Sequence, residues 1–364
     1  MHICSLSVQN FKNAEKESID FTEGINVIYG KNASGKTNLL EAIFFFASSR
    51  SFRGCKEKDM IQFGKTFSSA EMTFESNQIK KTMRVLLQKN ERRQIFVNQI
   101  RVQKLSEYLG LFRAVIFTPD HLNLVKGSSP FRRKFIDIAI CQSFPRYAVS
   151  LHEYQKLLEQ KSALLKMERR DTALLDVYNE KMAPLAGIIT LNRHRYLQRL
   201  EEVASVFQKD MSGEKENMKL RYTSQSGDSS RSAEELKEVF LELFQNKKEK
   251  ELQYSLPLYG PQKDDFEVLI NDKNAKTFGS QGQQRSAVLS LKLAEGELSQ
   301  RLTGEYPVFL LDDILSELDD DRRKYILSKI PGKQVIVTGC EPELFSGYGE
   351  TNRIFVCEGV ARNV

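Results

Sequence analysis

Val27-Ile28-Tyr29-Gly30-Lys31-Asn32-Ala33-Ser34-Gly35-Lys36-Thr37-Asn38 decides how this chain reads. A short apolar strand runs into G-x-x-x-x-G-K-T, and an apolar helix begins near Lys36. That order is the one a phosphate-binding loop needs. Gly30 and Gly35 let the backbone turn where a Cβ would clash. The amides of Lys31, Asn32, Ala33 and Ser34, with the helix N-terminus behind them, then turn partial positive charge toward a phosphate. Lys36 reaches β and γ oxygens as a mobile point charge, and Thr37 offers its hydroxyl to Mg²⁺. The expected nucleotide site therefore runs from Gly30 to Asn38.

Around this stretch the composition is that of a globular protein. The chain has 364 residues, enough for two or three folding units, with 40% apolar and 28% charged residues. A net charge of +6 permits contact with nucleic acid without demanding it. Five dispersed cysteines (Cys4, Cys55, Cys141, Cys340 and Cys357) with no C-x-x-C pair argue against a disulfide framework and a zinc knuckle. The four histidines lack metal-ligand spacing. The longest apolar run, Leu39 to Ala47 broken by Glu41, is too short to span a bilayer, and no leader pattern opens the chain. The expected location is the cytoplasm, with no membrane partner.

The patterning is α/β at both ends and helical in the middle. Strands are expected over 2–8, 25–29, 66–74, 80–88 and 113–117, with a turn at Glu75-Ser76-Asn77. A basic loop spans 48–59. From 129 to about 250 strand signal is weak. Leu175, Tyr178, Met182, Leu185, Ile189, Tyr196, Leu200, Val203 and Phe207 share one helical face, kinked at Pro184 and Gly187. Residues 150–168 form its partner across a turn near 169–172. A polar loop follows at 224–232, then a helix over 233–246 and a charge run, 246–251, read as a solvated end. After 252 come strands at 266–270, 308–311, 334–338 and 353–357 and a helix over 281–303. The expectation is a split head, 1–128 and 253–364, interrupted by a helical arm, 129–252.

Two further motifs carry chemistry. Val308-Phe309-Leu310-Leu311 is apolar throughout, as a central parallel strand should be. It delivers Asp312 to the carboxyl edge of the sheet, where a carboxylate holds Mg²⁺ opposite Thr37. Asp313 either polarises an attacking water or is an acidic turn residue. Ser280-Gln281-Gly282-Gln283-Gln284-Arg285 opens the helix 281–303, with Ser280 as N-cap and Gln283 three positions on. Gly282 permits close backbone approach, and the helix dipole again favours an anion. One nucleotide needs only one such terminus, unless two heads share it.

GKNASGKT, SQGQQR and VFLLDDILSELD together resemble the ABC-type ATPase heads of the SMC class, as Walker A, signature and Walker B. Within that class the chain resembles the RecF family of recombinational repair ATPases. VQNFKN (8–13), SFRG (51–54), VKGSSPFRRKFID (125–137) and GPQKDDFEV (260–268) support the likeness. The resemblance implies a split ABC-type head with an inserted arm. It implies that two copies clamp two ATP molecules, each lying between Gly30–Thr37 of one copy and Ser280, Gln281 and Gly282 of the other. It places Lys12 and Asn13 near the nucleotide, and Lys36, Asp312 and Asp313 in slow hydrolysis. It further implies binding to double-stranded and gapped DNA at single-strand/double-strand junctions, and work with RecR and RecO in loading RecA. Three departures stand out. Asp313 replaces the usual Glu, Thr338 stands where a switch His would be, and Gln262-Lys263 replace the usual His and Arg. The first two imply slow turnover.

Arg50, Arg53, Lys56, Lys80 and Lys81 are the candidate DNA contacts, each set against a reading as solvated surface. Arg132-Arg133-Lys134 is set against a role in anchoring the arm to the head. Rival classes are a small-molecule phosphotransferase, which leaves SQGQQR unexplained, and a transporter ATPase subunit, which expects a shorter gap from loop to signature. A structural SMC-like tether would need a far longer insertion.

Overall fold

The computed structural model describes residues 1–227, 231–339, 342–345, 351–357 and 359–363. Cys340 lies outside them, as does the centre of the loop expected at 224–232. The chain packs into two compact units, Met1–His121 with Lys292–Val364, and Leu122–Leu291.

The first unit holds two six-stranded sheets. One runs in the spatial order Val360–Asn363, Thr351–Cys357, Ile25–Tyr29, Val335–Thr338, Val308–Leu311, Ala114–Phe117. All its neighbours are parallel except the first pair. Val308–Leu311, Val335–Thr338 and Ala114–Phe117 are buried at every residue, which is why they read as unbroken apolar runs. The helix Lys36–Ser48 follows the loop and is buried on nearly every face. The strand Val335–Thr338 lies between the phosphate-loop strand and the strand leading to Asp312. It therefore brings Thr338 between the two motifs.

The other sheet is antiparallel, in the order Ala14–Asp20, His2–Phe11, Phe67–Ser76, Ile79–Gln88, Gln94–Val97, Ile100–Val102. Its hairpin turns at Asn77-Gln78, both at positive φ, one residue later than Glu75-Ser76-Asn77 suggested. Ala14–Asp20 carries no apolar alternation because its buried face includes Glu17, whose carboxylate accepts from the Ala361 N–H at 2.8 Å.

The second unit is built on the helices Ser129–Ser143, Pro145–Leu165, Thr172–Ser212 and Ala233–Asn246, with the antiparallel strands Lys273–Asn274, Asp265–Ile270 and Met218–Thr223. Thr172–Ser212 runs through Pro184 as one helix. A Cβ at Gly187 would lie 2.8 Å from the Ala233 carbonyl oxygen and 3.0 Å from the Lys237 nitrogen, so this glycine sets the helix crossing. Gly187→Ala is expected to cost about 1–3 kcal/mol by overpacking, read as a lower denaturant midpoint at unchanged m-value.

Three expectations change here. Met218–Thr223 is a strand inside the supposed helical stretch, and pairing with Asp265–Ile270 makes it one. That pairing also carries 253–291 into the second unit, whereas the sequence pattern ends the arm at 252. The charge run passes from the end of Ala233–Asn246 into a further helix, Lys248–Tyr254; Asn246, Glu249 and Lys250 are exposed, but its last residue is not solvated. Glu251 in it is fully buried, pairs with buried Lys161 at 2.6 Å and accepts from the Leu258 and Tyr259 N–H groups. Arg132 grips Asp265 through two bonds of 2.7 Å, and Arg133 donates to the Asp264 carbonyl at 2.6 Å. Arg193 binds Asp137 with two 2.8 Å bonds and the Pro261 carbonyl at 2.6 Å. These arginines and GPQKDD thus form one buried network within this unit. Among the described residues no helix is long and apolar enough to cross a membrane.

Candidate nucleotide site

The phosphate loop takes the conformation its glycines permit. Gly30 and Gly35 sit at φ 146° and 112°, and Ala33 is left-handed at 64°. A Cβ at Gly30 would overlap the Val356 carbonyl, and one at Gly35 would lie 2.7 Å from the Asn13 amide nitrogen. Only glycine fits either place. Lys36 folds back on the loop and donates to the Gly30 and Lys31 carbonyls at 2.8 and 2.9 Å. The Ser34 hydroxyl is buried without a hydrogen-bond partner. A buried ammonium held by neutral carbonyls, beside an orphaned hydroxyl donor, suits a polyanion such as triphosphate. Lys31 and Asn32 are exposed at the loop crest.

Across the sheet edge, Thr37 donates its hydroxyl to Asp312 Oδ1 at 2.9 Å. Thr338 donates to the same oxygen at 2.8 Å. It also accepts the Asp313 N–H at 3.2 Å. Burial lifts the Asp312 carboxyl above its ordinary range, the two hydroxyls pull it back down, and the Asp313 charge adds to the rise. The Thr37 hydroxyl and the Asp312 carboxylate are hard oxygen donors of the kind a divalent cation takes. No cluster of three or more His, Cys, Asp or Glu side chains suited to a metal occurs among the described residues. Asp313 is left-handed at φ 52°, and Gly339, at φ 78°, has no room for a Cβ because the Asp313 carboxylate occupies that place.

The rim is a chain of polar contacts. Asn13 donates to the Ser34 carbonyl at 3.1 Å and accepts from Asn38 at 2.7 Å. Arg53 donates to Asn38 Oδ1 at 3.2 Å. The fully buried Glu41 takes Lys12 as an ion-pair partner, accepts from the Ser51 hydroxyl and lies 3.8 Å from Arg53. Lys12 is thus neutralised by the loop's own helix. Glu41 belongs to the rim although no motif names it. A lone Glu within a nine-residue apolar run must be buried with a partner, and that signal was legible.

The basic residues divide. Arg50 and Arg53 are exposed on the loop beside the nucleotide helix, and Lys56 opens the turn Glu57–Met60. Lys80 lies directly opposite Glu75 in the sheet and Arg84 opposite Glu71, so the positive charge there is largely balanced. Lys81 lies opposite Phe74 and is half-buried.

Ser280 and Gln283 cap the signature helix reciprocally. The Gln283 N–H donates to Ser280 Oγ at 3.2 Å, and the Ser280 N–H donates to Gln283 Oε1 at 2.9 Å. Ser280 and Gln281 are placed at the mouth of that helix, with Gly282 directly behind them. Phe278, just before the motif, is 70% exposed.

With this geometry in hand, comparison with known proteins is direct. The RecF/RecN/SMC N-terminal domain family matches residues 2–362. The DNA replication and repair protein RecF of Geobacillus kaustophilus is 42% identical over 345 residues, covering 93% of this chain and 92% of that one. The chain belongs to the RecF family. Clostridium novyi RecF is 36% identical over 339 residues, covering 93% of each chain. A solved recombination mediator protein RecF with ATP, from the RecFOR pathway, superposes with a TM-score of 0.91 at 33% identity, covering all of this chain and 97% of that one. A Pyrococcus furiosus Smc head bound to a ScpA domain, at 17% identity and a TM-score of 0.56, shares the fold alone. RecF membership makes the fold that of an ABC-type ATPase head, as the three ordered motifs implied.

Proposed function

We propose that this chain is an ATP-gated DNA-binding protein of recombinational repair and replication, working as a dimer bridged by nucleotide. The carrying observation is the Thr37 hydroxyl bonded to Asp312 across 275 residues of sequence, at the mouth of a loop shaped for phosphates. The RecF relative solved with ATP supports the same reading. Gly30 to Asn38 cradle the triphosphate, with Lys36 leaving its carbonyls for phosphate oxygens. Thr37 and Asp312 would hold Mg²⁺, which when bound would neutralise charge on the triphosphate. Asp313 orients water for slow hydrolysis. Ser280, Gln281 and Gly282 close over the nucleotide of a second copy. Asn13 steadies the loop from the rim.

The closed dimer binds double-stranded and gapped DNA through Arg50, Arg53 and Lys56. Lys80 faces Glu75 and Lys81 is half-buried opposite Phe74, which makes both weaker contributors. RecR and RecO act with it to load RecA, and hydrolysis resets the clamp. An effective switch needs nucleotide to favour the closed state by about 5 kcal/mol.

Light scattering with and without Mg-ATP tests the bridge. Wild-type protein should double in mass with ATP. Ser280→Arg should bind nucleotide normally yet stay monomeric, with hydrolysis down by at least about 100-fold. Normal hydrolysis by Ser280→Arg would refute a shared site.

A further inference from the structure

Gln283 has a second set of contacts that no motif predicts. While its Oε1 accepts from Ser280, its Nε2 donates to Glu216 Oε1 at 2.9 Å. The other Glu216 oxygen accepts from Gln208 Nε2 at 2.6 Å. Gln208 is fully buried near the end of the long helix Thr172–Ser212, and its Oε1 accepts from the buried Ser290 hydroxyl at 2.9 Å. The carboxylate of Glu216 thus joins the end of the long helix to the first turn of the signature helix.

Glu216 is itself fixed. Its N–H donates to Ser212 Oγ at 3.0 Å. The next residue, Asn217, accepts from Ser205 at 2.9 Å and exchanges bonds of 2.8 and 2.9 Å with Asn271. All these residues lie in one compact unit.

The chemistry of the clamp is directional. A carboxylate only accepts, so it admits one orientation of the Gln283 amide, with the NH₂ toward Glu216. That orientation alone points Oε1 at the Ser280 N–H. Flipped, the amide would set NH₂ against N–H and release the cap. We propose that Glu216 is a positioning residue: through the Gln283 amide it holds the signature loop in the form that engages a second copy's nucleotide, and it ties that form to the end of the long arm helix. This rests on the shared-site reading above.

The test is a charge-swap cycle. Glu216→Gln leaves one amide oxygen to serve two N–H donors, Gln208 Nε2 and Gln283 Nε2, so one bond is lost, and Gln283→Glu sets two carboxylates against each other. The double variant restores every bond: the new amide at position 216 accepts from Gln208 and donates to the new carboxylate at position 283, which in turn accepts from Ser280. Each single variant should weaken ATP-dependent dimerisation and kcat by about tenfold or more, with nucleotide affinity of the isolated copy unchanged. The double variant should recover to within about threefold of wild type. A purely structural role predicts losses that follow melting temperature and affect nucleotide affinity alike. Unimpaired single variants, or a double variant no better than the product of the singles, would overturn the clamp. If a single variant folds poorly, the milder Glu216→Asp serves, with amide exchange at 280–283 as readout. Exchange as slow as wild type would also reject the idea. Wild-type protein that stays monomeric with ATP would instead sink the shared site itself.

Discussion

Gly339→Ala should cut single-turnover ATP hydrolysis by about 100-fold while changing nucleotide affinity little, because a displacement of about 1 Å at a reacting group has that effect. The residue is left-handed at φ 78°, a region that costs an L side chain about 1–2 kcal/mol. The larger effect is local. The new methyl would occupy the place of the Asp313 carboxylate. Asp313 cannot yield on its backbone side, since its N–H is held by Thr338 Oγ1 at 3.2 Å and its own φ of 52° is already unusual. The carboxylate must swing away from the sheet edge. Lys36, Ser34 and the loop amides are untouched, so binding survives while the chemical step fails. Equilibrium binding beside quench-flow hydrolysis separates the two, and hydrolysis within threefold of wild type would remove Asp313 from the mechanism.

Gly339 is not legible in the sequence, for a physical reason. The phosphate loop, the strand ending at Asp312 and the signature helix are each written in a contiguous stretch, so local pattern suffices. Thr338 and Gly339 act across strands: their partner residues are Asp312 and Asp313, some 25 positions away, brought close by the register of Leu311 with Val337. Sequence spacing carries no trace of that register. Thr338 stands where a switch His would be, and its hydroxyl donates to the Asp312 carboxylate and accepts the Asp313 N–H. The same holds for Glu216, an ordinary charged residue in a turn until folding sets it beside Gln283. Lys80 looked free because its cross-strand neighbour, Glu75, lies on the other side of a hairpin turn. In the arm, helical period dominates the window, and the strand Met218–Thr223 exists only through its partner.

Asp312→Asn sets function against stability at a single atom. Burial raises the Asp312 carboxyl above its ordinary range, so the folded state holds that proton more tightly than the unfolded chain does. Between the ordinary value, about 3.9, and the raised one, stability falls as pH rises, and at neutral pH the ionised side chain remains a net cost. Asparagine keeps an Oδ1 that accepts from Thr37 and Thr338 and removes the charge. Without Mg²⁺ and nucleotide, Asp312→Asn should therefore melt at a higher temperature than wild type at pH 7, and the difference should vanish below about pH 4. With Mg-ATP the order should reverse, because only wild type gains from a ligand bound through the carboxylate. Hydrolysis should fall by about 100- to 1,000-fold. Melting curves at pH 7 and pH 4, each with and without Mg-ATP, read the stability effects, and a single-turnover assay reads the hydrolysis. A variant less stable than wild type at pH 7 without Mg²⁺ would mean that the two hydroxyls outweigh burial. One that still gained stability from Mg-ATP and hydrolysed it normally would take the metal away from Asp312.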